Sequence, residues 1–167
     1  RGLAVTDHLT GVANRRGLEE ALPQVRAVAR AAERPIGVVV LDIDHFKAVN
    51  DRYGHAMGDA VLQRVARTLL AHSGEQDVVA RLGGEEFAVL TVLEPIELAA
   101  RAETLRREVS RASSSIGVTV SAGVAWDEAG LSGPEATEQL WLLVDRADEL
   151  MYAAKRDGRD RVHVDRH

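Results

Sequence analysis

Two pairs of acidic residues have the types and the spacing that could bind a metal ion. Asp42 and Asp44 follow the apolar run 38–41, and residues two apart on a strand point to the same face. Two carboxylates crowded at the end of a buried strand repel each other, and a divalent cation would stabilise them. Because aspartate is also common at ordinary strand ends, this pair alone favours a simple polar terminus.

The second pair, Glu85 and Glu86, directly follows Gly83 and Gly84, a strong signal for a hairpin. Adjacent side chains on a strand point to opposite faces, so one glutamate could share a metal with Asp42 if the two segments are neighbours in a sheet. Mg²⁺ bound by one or two carboxylates plus substrate phosphates is typical of phosphoryl-transfer sites. A metal pair there would activate the attacking oxygen and stabilise the leaving one. The alternative is a solvated turn with an acidic tip.

Composition narrows the class of protein. The chain has 167 residues, a net charge of −5, no cysteine and 4% aromatic residues. A negative charge disfavours binding to nucleic-acid phosphates, and few aromatics leave little for base stacking. No apolar run approaches the length of a membrane span. We expect a cytoplasmic domain that binds no nucleic acid and makes no direct membrane contact, although the full-length protein could be anchored through regions outside this chain.

Helices and strands that alternate along the chain must bring these acidic residues together. The run 38–41 is apolar on both faces, which predicts a central strand buried on both sides. Tyr53-Gly54-His55 predicts a turn, and Gly158 predicts a left-handed cap after the last helix. The predicted helices cover 14–33, 45–50, 61–70, 95–111 and 140–154, and the predicted strands cover 36–42, 78–82, 86–92, 118–126 and 162–164.

The order of these elements predicts the fold class. After the first helix it reads β-α-α-β-β-α-β-α-β, which contains the β-α-β-β-α-β unit of ferredoxin-like folds. We therefore expect an α+β domain whose central antiparallel sheet is flanked by helices, with extra helices and a short C-terminal strand. A fold of this kind serves many functions and decides none.

The motifs, taken in order, resemble the diguanylate cyclase (GGDEF) family over nearly the whole chain. Each motif alone is weak, but the ordered set at this spacing is specific. The resemblance implies the α+β palm of nucleotidyl cyclases. The matching stretches are 6–11 (Thr-Asp-His-Leu-Thr-Gly), 14–16, 41–47 (Leu-Asp-Ile-Asp-His-Phe-Lys), 49–55, 58–62 (Gly-Asp-Ala-Val-Leu), 80–87 (Ala-Arg-Leu-Gly-Gly-Glu-Glu-Phe), 120–124, 146–155 and 158–159.

The resemblance implies a reaction and its partners. Each domain holds one GTP, and two domains face each other in a homodimer that catalysis requires. The 3′-hydroxyl of each GTP attacks the α-phosphate of the other, so that two pyrophosphates leave and cyclic di-GMP forms. The implied cofactor is Mg²⁺ or Mn²⁺. We expect residues 1–167 to form one domain of a longer protein, with residues 1–6 ending a helix that arrives from an N-terminal sensor or dimerisation region.

The resemblance also assigns the metal-binding and catalytic residues. Asp42 resembles a metal ligand, with the carbonyl of Ile43 as a second. Glu85 resembles the other carboxylate ligand and helps to deprotonate the 3′-hydroxyl, whose pKa a nearby metal would lower. Glu86 is either a second metal ligand or a structural support.

Further residues resemble those that bind GTP. Asn50 and Asp59 match the pair that reads guanine, since a carboxylate accepts from N1–H and the exocyclic amine but repels the N1 acceptor of adenine. His55 lies nearby in sequence, and Leu9 and Leu62 would contact the base. Backbone N–H groups near Phe46 and Lys47 suit phosphate oxygens, and Lys155 and Arg159 would contact the terminal phosphates. Read alone, Lys47 is a plain surface lysine, His55 a turn residue, and Asp59, Lys155 and Arg159 ordinary charges at helix ends.

One departure from the family pattern concerns product inhibition. Many members carry an Arg-x-x-Asp motif that binds cyclic di-GMP and inhibits the enzyme. Here Asp77 keeps the acidic position, but Gly74 stands where the arginine would be. Because glycine has no side chain to bind guanine or phosphate, we expect weak or absent feedback inhibition.

Two other functions are alternatives to an active cyclase that uses GTP. The first is a catalytically silent module that binds GTP or a protein partner and regulates something else. Asp42, Glu85 and Lys155 are all present, which argues against this alternative. The second is a cyclase that accepts ATP, against which Asp59 argues.

Overall fold

The computed structural model describes residues 3–166. Helices and strands alternate in the predicted order. The elements are α1 (Arg15–Ala32), β1 (Ile36–Ile43), α2 (Phe46–Tyr53), α3 (His55–Ala71), β2 (Val78–Gly83), β3 (Glu86–Val92), α4 (Pro95–Ala112), β4 (Val120–Asp127), α5 (Ala136–Arg156) and β5 (Val162–Val164).

A sheet of five strands in the order β2-β3-β1-β4-β5 forms the centre of the fold. β1 lies in the middle and pairs antiparallel with β3 and β4, as the β-α-β-β-α-β order predicts. β5 pairs parallel to β4, so the sheet is mixed rather than wholly antiparallel. The reason is that α5 forms a crossover connection, which returns the chain in the direction in which it left.

The core consists of two apolar layers, one on each face of the sheet. Val39 and Leu41 of β1 face one layer with the apolar sides of α3 and α4, whereas Val38 and Val40 face the other with α1 and α5. Every residue of β1 is buried. This confirms the prediction of a central strand covered on both sides.

α5 packs unusually close to β4. A Cβ atom added at Gly123 would lie 1.9 Å from the carbonyl oxygen of Ala147 and 2.5 Å from the backbone nitrogen of Met151. The glycine therefore permits the backbone of the helix to approach the sheet. This close approach sets the distance between α5 and the sheet. It therefore also sets the position of the helix end that carries Lys155.

Both edges of the sheet are limited. The backbone of Ala13 runs beside β2, accepting from the Arg81 N–H at 2.8 Å and donating to the Val79 carbonyl at 3.0 Å. The other edge is β5, which has only 3 residues. Within the described part of the chain, no helix is both long enough and apolar enough to cross a membrane.

The start of α1 follows prediction, whereas the junction of α2 and α3 does not. Asn14 caps α1, its side chain accepting from the Gly17 N–H at 2.9 Å. α2 continues to Tyr53, and α3 begins at His55 with only Gly54 (φ 91°) between them. The predicted three-residue turn at 53–55 is therefore wrong, since Tyr53 and His55 are both helical. Gly54 alone, with its positive φ, changes the direction of the chain.

The two ends of the described chain compare differently with prediction. α5 ends at Arg156, and Gly158, with φ 125°, follows the cap residue Asp157. The Gly158 N–H donates to the Lys155 carbonyl at 3.4 Å and the Arg159 N–H to the Ala154 carbonyl at 3.0 Å, which is the bonding of a glycine cap and confirms that prediction. The next two residues, Arg159 and Asp160, also have positive φ. Residues 3–6 are not helical, because Thr6 forms an isolated bridge with Ala13. The rest of the predicted incoming helix, residues 1–2, lies outside the described residues.

Candidate functional site

The four acidic residues lie at one end of the sheet, where β1 ends and β3 begins. Asp42 stands directly opposite Glu86 in the antiparallel ladder. The backbone N–H of Ile43 donates to the Glu85 carbonyl at 3.3 Å, which places the hairpin tip beside the end of β1. The structure thus brings together the two acidic pairs that the sequence separates by about forty positions.

The ammonium group of Lys155, near the end of α5, lies between the two aspartates. Its Nζ is 2.8 Å from Asp42 Oδ1 and 3.1 Å from Asp44 Oδ1. It also donates to the Ile43 carbonyl at 3.4 Å. The crowding of carboxylates that suggested a cation is therefore relieved by a cation from the chain itself.

These contacts test whether the predicted metal donors fit a metal. Asp42 Oδ1 and the Ile43 carbonyl both contact the same positive group, Lys155 Nζ, so the two donors converge on one cation position. Hard oxygen donors of this kind suit a divalent ion such as Mg²⁺. No group of three or more acidic or histidine side chains forms a ready-made metal cage within residues 3–166. The donor set is therefore open, as it is when substrate phosphates supply the remaining ligands.

Asp44 differs from Asp42 because the protein saturates its carboxylate. It accepts from the hydroxyls of Thr119 and Ser121 at 2.7 Å each and from the Asp160 N–H at 3.1 Å. Burial raises the pKa of Asp44, but these hydrogen bonds and Lys155 outweigh it and leave the pKa below its usual value. Asp44 therefore anchors β1, β4 and the loop after α5, and Asp42 is the aspartate left to face a ligand.

The carboxyl group of Asp42 has a raised pKa. Asp42 is only 8% exposed, and burial raises its pKa to about 6, against the opposing effect of the Lys155 ammonium. The nearby charges of Glu85 and Asp44 raise it further. A bound cation would favour the charged carboxylate and reverse this shift.

Glu86 points toward α5 and meets another acid. Burial, followed by the neighbouring carboxyl of Asp148, raises the pKa of Glu86 to about 8. Among residues 3–166, one oxygen of Asp148, Oδ1, is buried without a hydrogen-bond partner. Sequence reasoning gave Asp148 no role, and the only signal for it was its position within the last matching motif.

The predicted guanine-binding residues lie on α2 and α3. The amide oxygen of half-buried Asn50 packs against Gly58, so that a Cβ added to that glycine would lie 1.9 Å from it. Asp59 is exposed on the next residue. Within residues 3–166, neither the Asn50 nor the Asp59 side chain makes a hydrogen bond or an ion pair, so both are free for a ligand. Phe46 is partly buried against the core, and Leu62 is buried in it.

The other predicted phosphate and base contacts are more exposed. Lys47, with 89% of its side chain exposed, pairs with Asp51 at 2.9 Å. His55 is exposed at the first position of α3, and Arg159 is exposed beyond α5. Among the described residues these side chains make no contact with Asp42, so the structure brings Lys155 to the carboxylates and leaves the other cations at the surface.

Asp77, the remnant of the inhibitory motif, is engaged by its own chain. Its carboxylate accepts from the Gly74 N–H at 2.7 Å and from the Thr91 hydroxyl at 2.5 Å. Arg101 of α4 forms an ion pair with the same group. The acid therefore closes a loop and ties it to α4.

This fold and site define a class. An α+β sheet domain presents a carboxylate, a carbonyl and a lysine beside the tip of an acidic hairpin, and it carries amide and carboxylate side chains without partners in the described chain on the adjacent helices. Such an arrangement suits a phosphorylated base that binds together with a cation.

Comparison with known proteins identifies the family. The family model described as "Diguanylate cyclase, GGDEF domain" matches residues 4–161, and the chain belongs to this family. It is similar to diguanylate cyclase DgcP of Pseudomonas aeruginosa, with 39% identity over 98% of the chain and 24% of the relative. It is also similar to the response regulator PleD of Caulobacter vibrioides, with 38% identity over 96% of the chain and 36% of the relative.

Solved structures agree with this assignment. The GGDEF domain of DgcB from Caulobacter crescentus, determined in complex with c-di-GMP, superposes with a TM-score of 0.81 at 36% identity, covering 98% of this chain and 94% of that one. The likeness confirms the predicted α+β palm. The chain spans well under half of the length of DgcP and PleD. Membership of the family implies a requirement for a divalent metal ion.

Proposed function

We propose that this domain is a diguanylate cyclase, which condenses two GTP into cyclic di-GMP and two pyrophosphates. One observation carries the proposal. Asp42 and the Ile43 carbonyl converge on a single cation position beside the Gly-Gly-Glu-Glu-Phe hairpin, as metal-assisted phosphoryl transfer requires. Names of relatives such as DgcP support the same activity.

In this proposal Asp42, the Ile43 carbonyl and Glu85 hold Mg²⁺ or Mn²⁺, and Glu86 is a further ligand or a support. When bound, the metal lowers the pKa of the attacking 3′-hydroxyl and neutralises phosphate charge. Glu85 accepts the proton of that hydroxyl. Lys155 lies beside the metal donors already, and it can exchange a carboxylate contact for an oxygen of the triphosphate.

The chain holds the guanine through groups that are otherwise unpaired. Asp59 accepts from the base N1–H and the exocyclic amine, and Asn50 supplies a second polar contact. Adenine offers an acceptor at N1 and would be repelled by the same carboxylate. Leu62 and Leu9 contact the base, and His55 lines the pocket.

The triphosphate needs donors at both ends of the site. α2 begins at Phe46 without a side-chain cap, so the backbone N–H groups near Phe46 and Lys47 are free for phosphate oxygens. Lys155 and Arg159 neutralise the terminal phosphates.

Each domain supplies half of the reaction, because the attacking hydroxyl and the attacked phosphate belong to different GTP molecules. We therefore propose that the domain works as a homodimer, brought together by an N-terminal sensor or dimerisation region in a longer cytoplasmic or membrane-anchored protein. The partners are GTP and a second copy, without nucleic acid.

The test is turnover of GTP by the domain fused to a dimeric coiled coil, with Mg²⁺ or Mn²⁺ present and pyrophosphate and cyclic di-GMP both measured. ATP is the matched substrate control, and Asp42→Asn is the inactive control. Release of pyrophosphate and formation of cyclic di-GMP with GTP, and no turnover with ATP, support the proposal. Binding of GTP without turnover in the forced dimer would sink it and favour a regulatory GTP-binding module.

A further inference from the structure

The loop after α5 contains a strained backbone at the residue proposed to bind phosphate. Arg159 and Asp160 have φ values of 65° and 49°, so two consecutive residues that are not glycine lie in the left-handed region. Residues with a Cβ rarely adopt this conformation, and it persists only where surrounding contacts enforce it. The contacts that enforce it here are therefore candidates for a functional role.

Asp160 is the point at which the loop is held. Its backbone N–H donates to Asp44 Oδ2 at 3.1 Å. Its carboxylate forms an ion pair with Arg106 of α4, with 2.6 Å between Arg106 Nη1 and Asp160 Oδ1. The first contact holds the loop to the end of β1. The second holds it to α4, which packs on the opposite face of the sheet from α5.

Arg106 is itself fixed in place. The rest of its guanidinium bonds to Glu103, from Nε at 3.0 Å and from Nη2 at 2.5 Å. The Arg106 side chain is only 17% exposed. A guanidinium held by a two-point carboxylate pair on its own helix has little freedom to turn away. The Arg106 guanidinium is therefore a fixed partner for the Asp160 carboxylate.

Arg159, by contrast, carries an unused side chain. Within residues 3–166 its guanidinium makes no hydrogen bond or ion pair, and the residue is exposed. Its backbone is bound on both sides, since its N–H donates to the Ala154 carbonyl at 3.0 Å and its carbonyl accepts from Arg161 Nε at 3.0 Å. A fixed backbone with a free cationic side chain is the arrangement expected of a preorganised anion contact.

We propose that Arg106 is a positioning residue for the triphosphate. It touches no substrate, but through Asp160 it keeps Arg159 in the left-handed conformation that presents its guanidinium to the terminal phosphates. The inference rests on the proposed function, since it assumes that Arg159 meets GTP. It adds a residue of α4, more than fifty positions earlier in the chain, to the residues that determine affinity for GTP.

The test is a double-mutant cycle on nucleotide binding. Dissociation constants for GTP and for GMP, which lacks the terminal phosphates, are measured by calorimetry for wild type, Arg106→Gln, Arg159→Ala and the double variant. We expect Arg106→Gln to weaken GTP binding about tenfold and GMP binding less than about twofold, because one charge-assisted contact to phosphate is lost. In the Arg159→Ala background, Arg106→Gln should have no further effect on GTP. Arg107→Gln, an exposed arginine on the same helix, is the matched control and should leave both constants unchanged.

Contrary outcomes are distinct. An equal loss of GTP affinity with and without Arg159, or an equal loss for GMP, would mean that Arg106 only stabilises the fold and would overturn the inference. Where Arg106→Gln fails to fold, Asp160→Asn breaks the same ion pair from the other side and is read in the same cycle. Wild type that binds GTP without turning it over contradicts the proposed activity alone. Wild type that binds no GTP contradicts both.

Discussion

At the residue scale, Asp42 and Asp44 have the same chemistry and similar burial, yet the protein uses them differently. Asp44 is surrounded by donors from Thr119, Ser121 and Asp160. Asp42 pairs with the Lys155 ammonium and has a raised pKa. A buried carboxylate that is incompletely paired costs stability. Its retention beside an acidic hairpin is typical of sites where a ligand completes the pairing.

Gly58 makes a residue-scale prediction about guanine recognition. A methyl group at this position would lie 1.9 Å from the Asn50 amide oxygen, which is the end of a flexible side chain and can move aside. We expect Gly58→Ala to lower kcat/KM for GTP about tenfold, as the loss of one polar contact would. The melting temperature should hold or rise, because alanine favours helices over glycine.

The matched control for this prediction is Asn50→Ala, which removes the same contact without changing α3. The double variant Gly58→Ala with Asn50→Ala should be no worse than Asn50→Ala alone. Additive losses would show that Gly58 acts through something other than Asn50.

Glu86 makes a prediction about stability and pH. Its pKa in the folded protein is raised from 4.5 to about 8 by burial and by Asp148, so the folded state binds a proton more tightly than the unfolded state does. Stability from this group is present below about pH 4.5 and is lost as the pH rises toward 8. Glu86→Gln should therefore be more stable than wild type at pH 8, by about 1 kcal/mol, because the amide can donate to Asp148 without carrying charge.

Urea unfolding of both proteins in metal-free buffer at pH 5 and pH 8 measures this difference. The gain should shrink toward zero at pH 5, where Glu86 is protonated. The same gain at both pH values would contradict a role for ionisation.

At the element scale, the position of α5 controls the site, since this helix delivers Lys155, Asp148 and the loop with Arg159. The distance of α5 from the sheet depends on Gly123 of β4, because a Cβ added there would lie 1.9 Å from the Ala147 carbonyl oxygen. Backbone cannot yield as a side chain can. We expect Gly123→Ala to destabilise the fold by about 2 kcal/mol or more and to lower GTP affinity, because Lys155 is shifted from Asp42.

Denaturant unfolding and GTP titration together check this prediction. Gly133→Ala is the control, since its new methyl would meet only the flexible end of Gln139, and a surface change of this kind costs within about 0.5 kcal/mol. A Gly123→Ala protein as stable as wild type would show that α5 does not rest on this contact.

The elements show which parts of the fold the sequence could predict. The cap at Asn14, the buried strand β1 and the Gly83-Gly84 hairpin have local signals, and the structure confirms all three. The sequence does not reveal the junction at Gly54, because the signals for a turn and for a brief helix break are alike. The hydrogen bonds of Asp44 to Thr119 and Ser121 join residues more than seventy positions apart, and hydroxyls on a strand give no local sign of such a partner. The residue roles at the site remain predictions.

At the scale of the whole molecule, feedback inhibition by product through the segment 74–77 should be weak or absent. Gly74 offers no side chain, and Asp77 is already engaged by Thr91 and Arg101. We expect the forced dimer to keep its rate of pyrophosphate release when cyclic di-GMP is added. Inhibition at low micromolar product would contradict this.

A matched variant for that experiment is Gly74→Arg, which restores the side chain that many family members carry. Its rate should become more sensitive to added product than the wild-type rate. Equal sensitivity of the two proteins would show that the glycine is not what removes the inhibition.

The covered edges of the sheet have a consequence for how two copies can meet. Ala13 occupies the Val79 carbonyl and the Arg81 N–H of β2, and β5 has only 3 residues. Within the described residues, neither edge offers a long uninterrupted row of free amides and carbonyls through which sheets pair into larger assemblies or aggregates. The proposed homodimer would therefore form through side chains and through the nucleotides held between the two domains. Such contact would be reversible, which suits control by the N-terminal region proposed above.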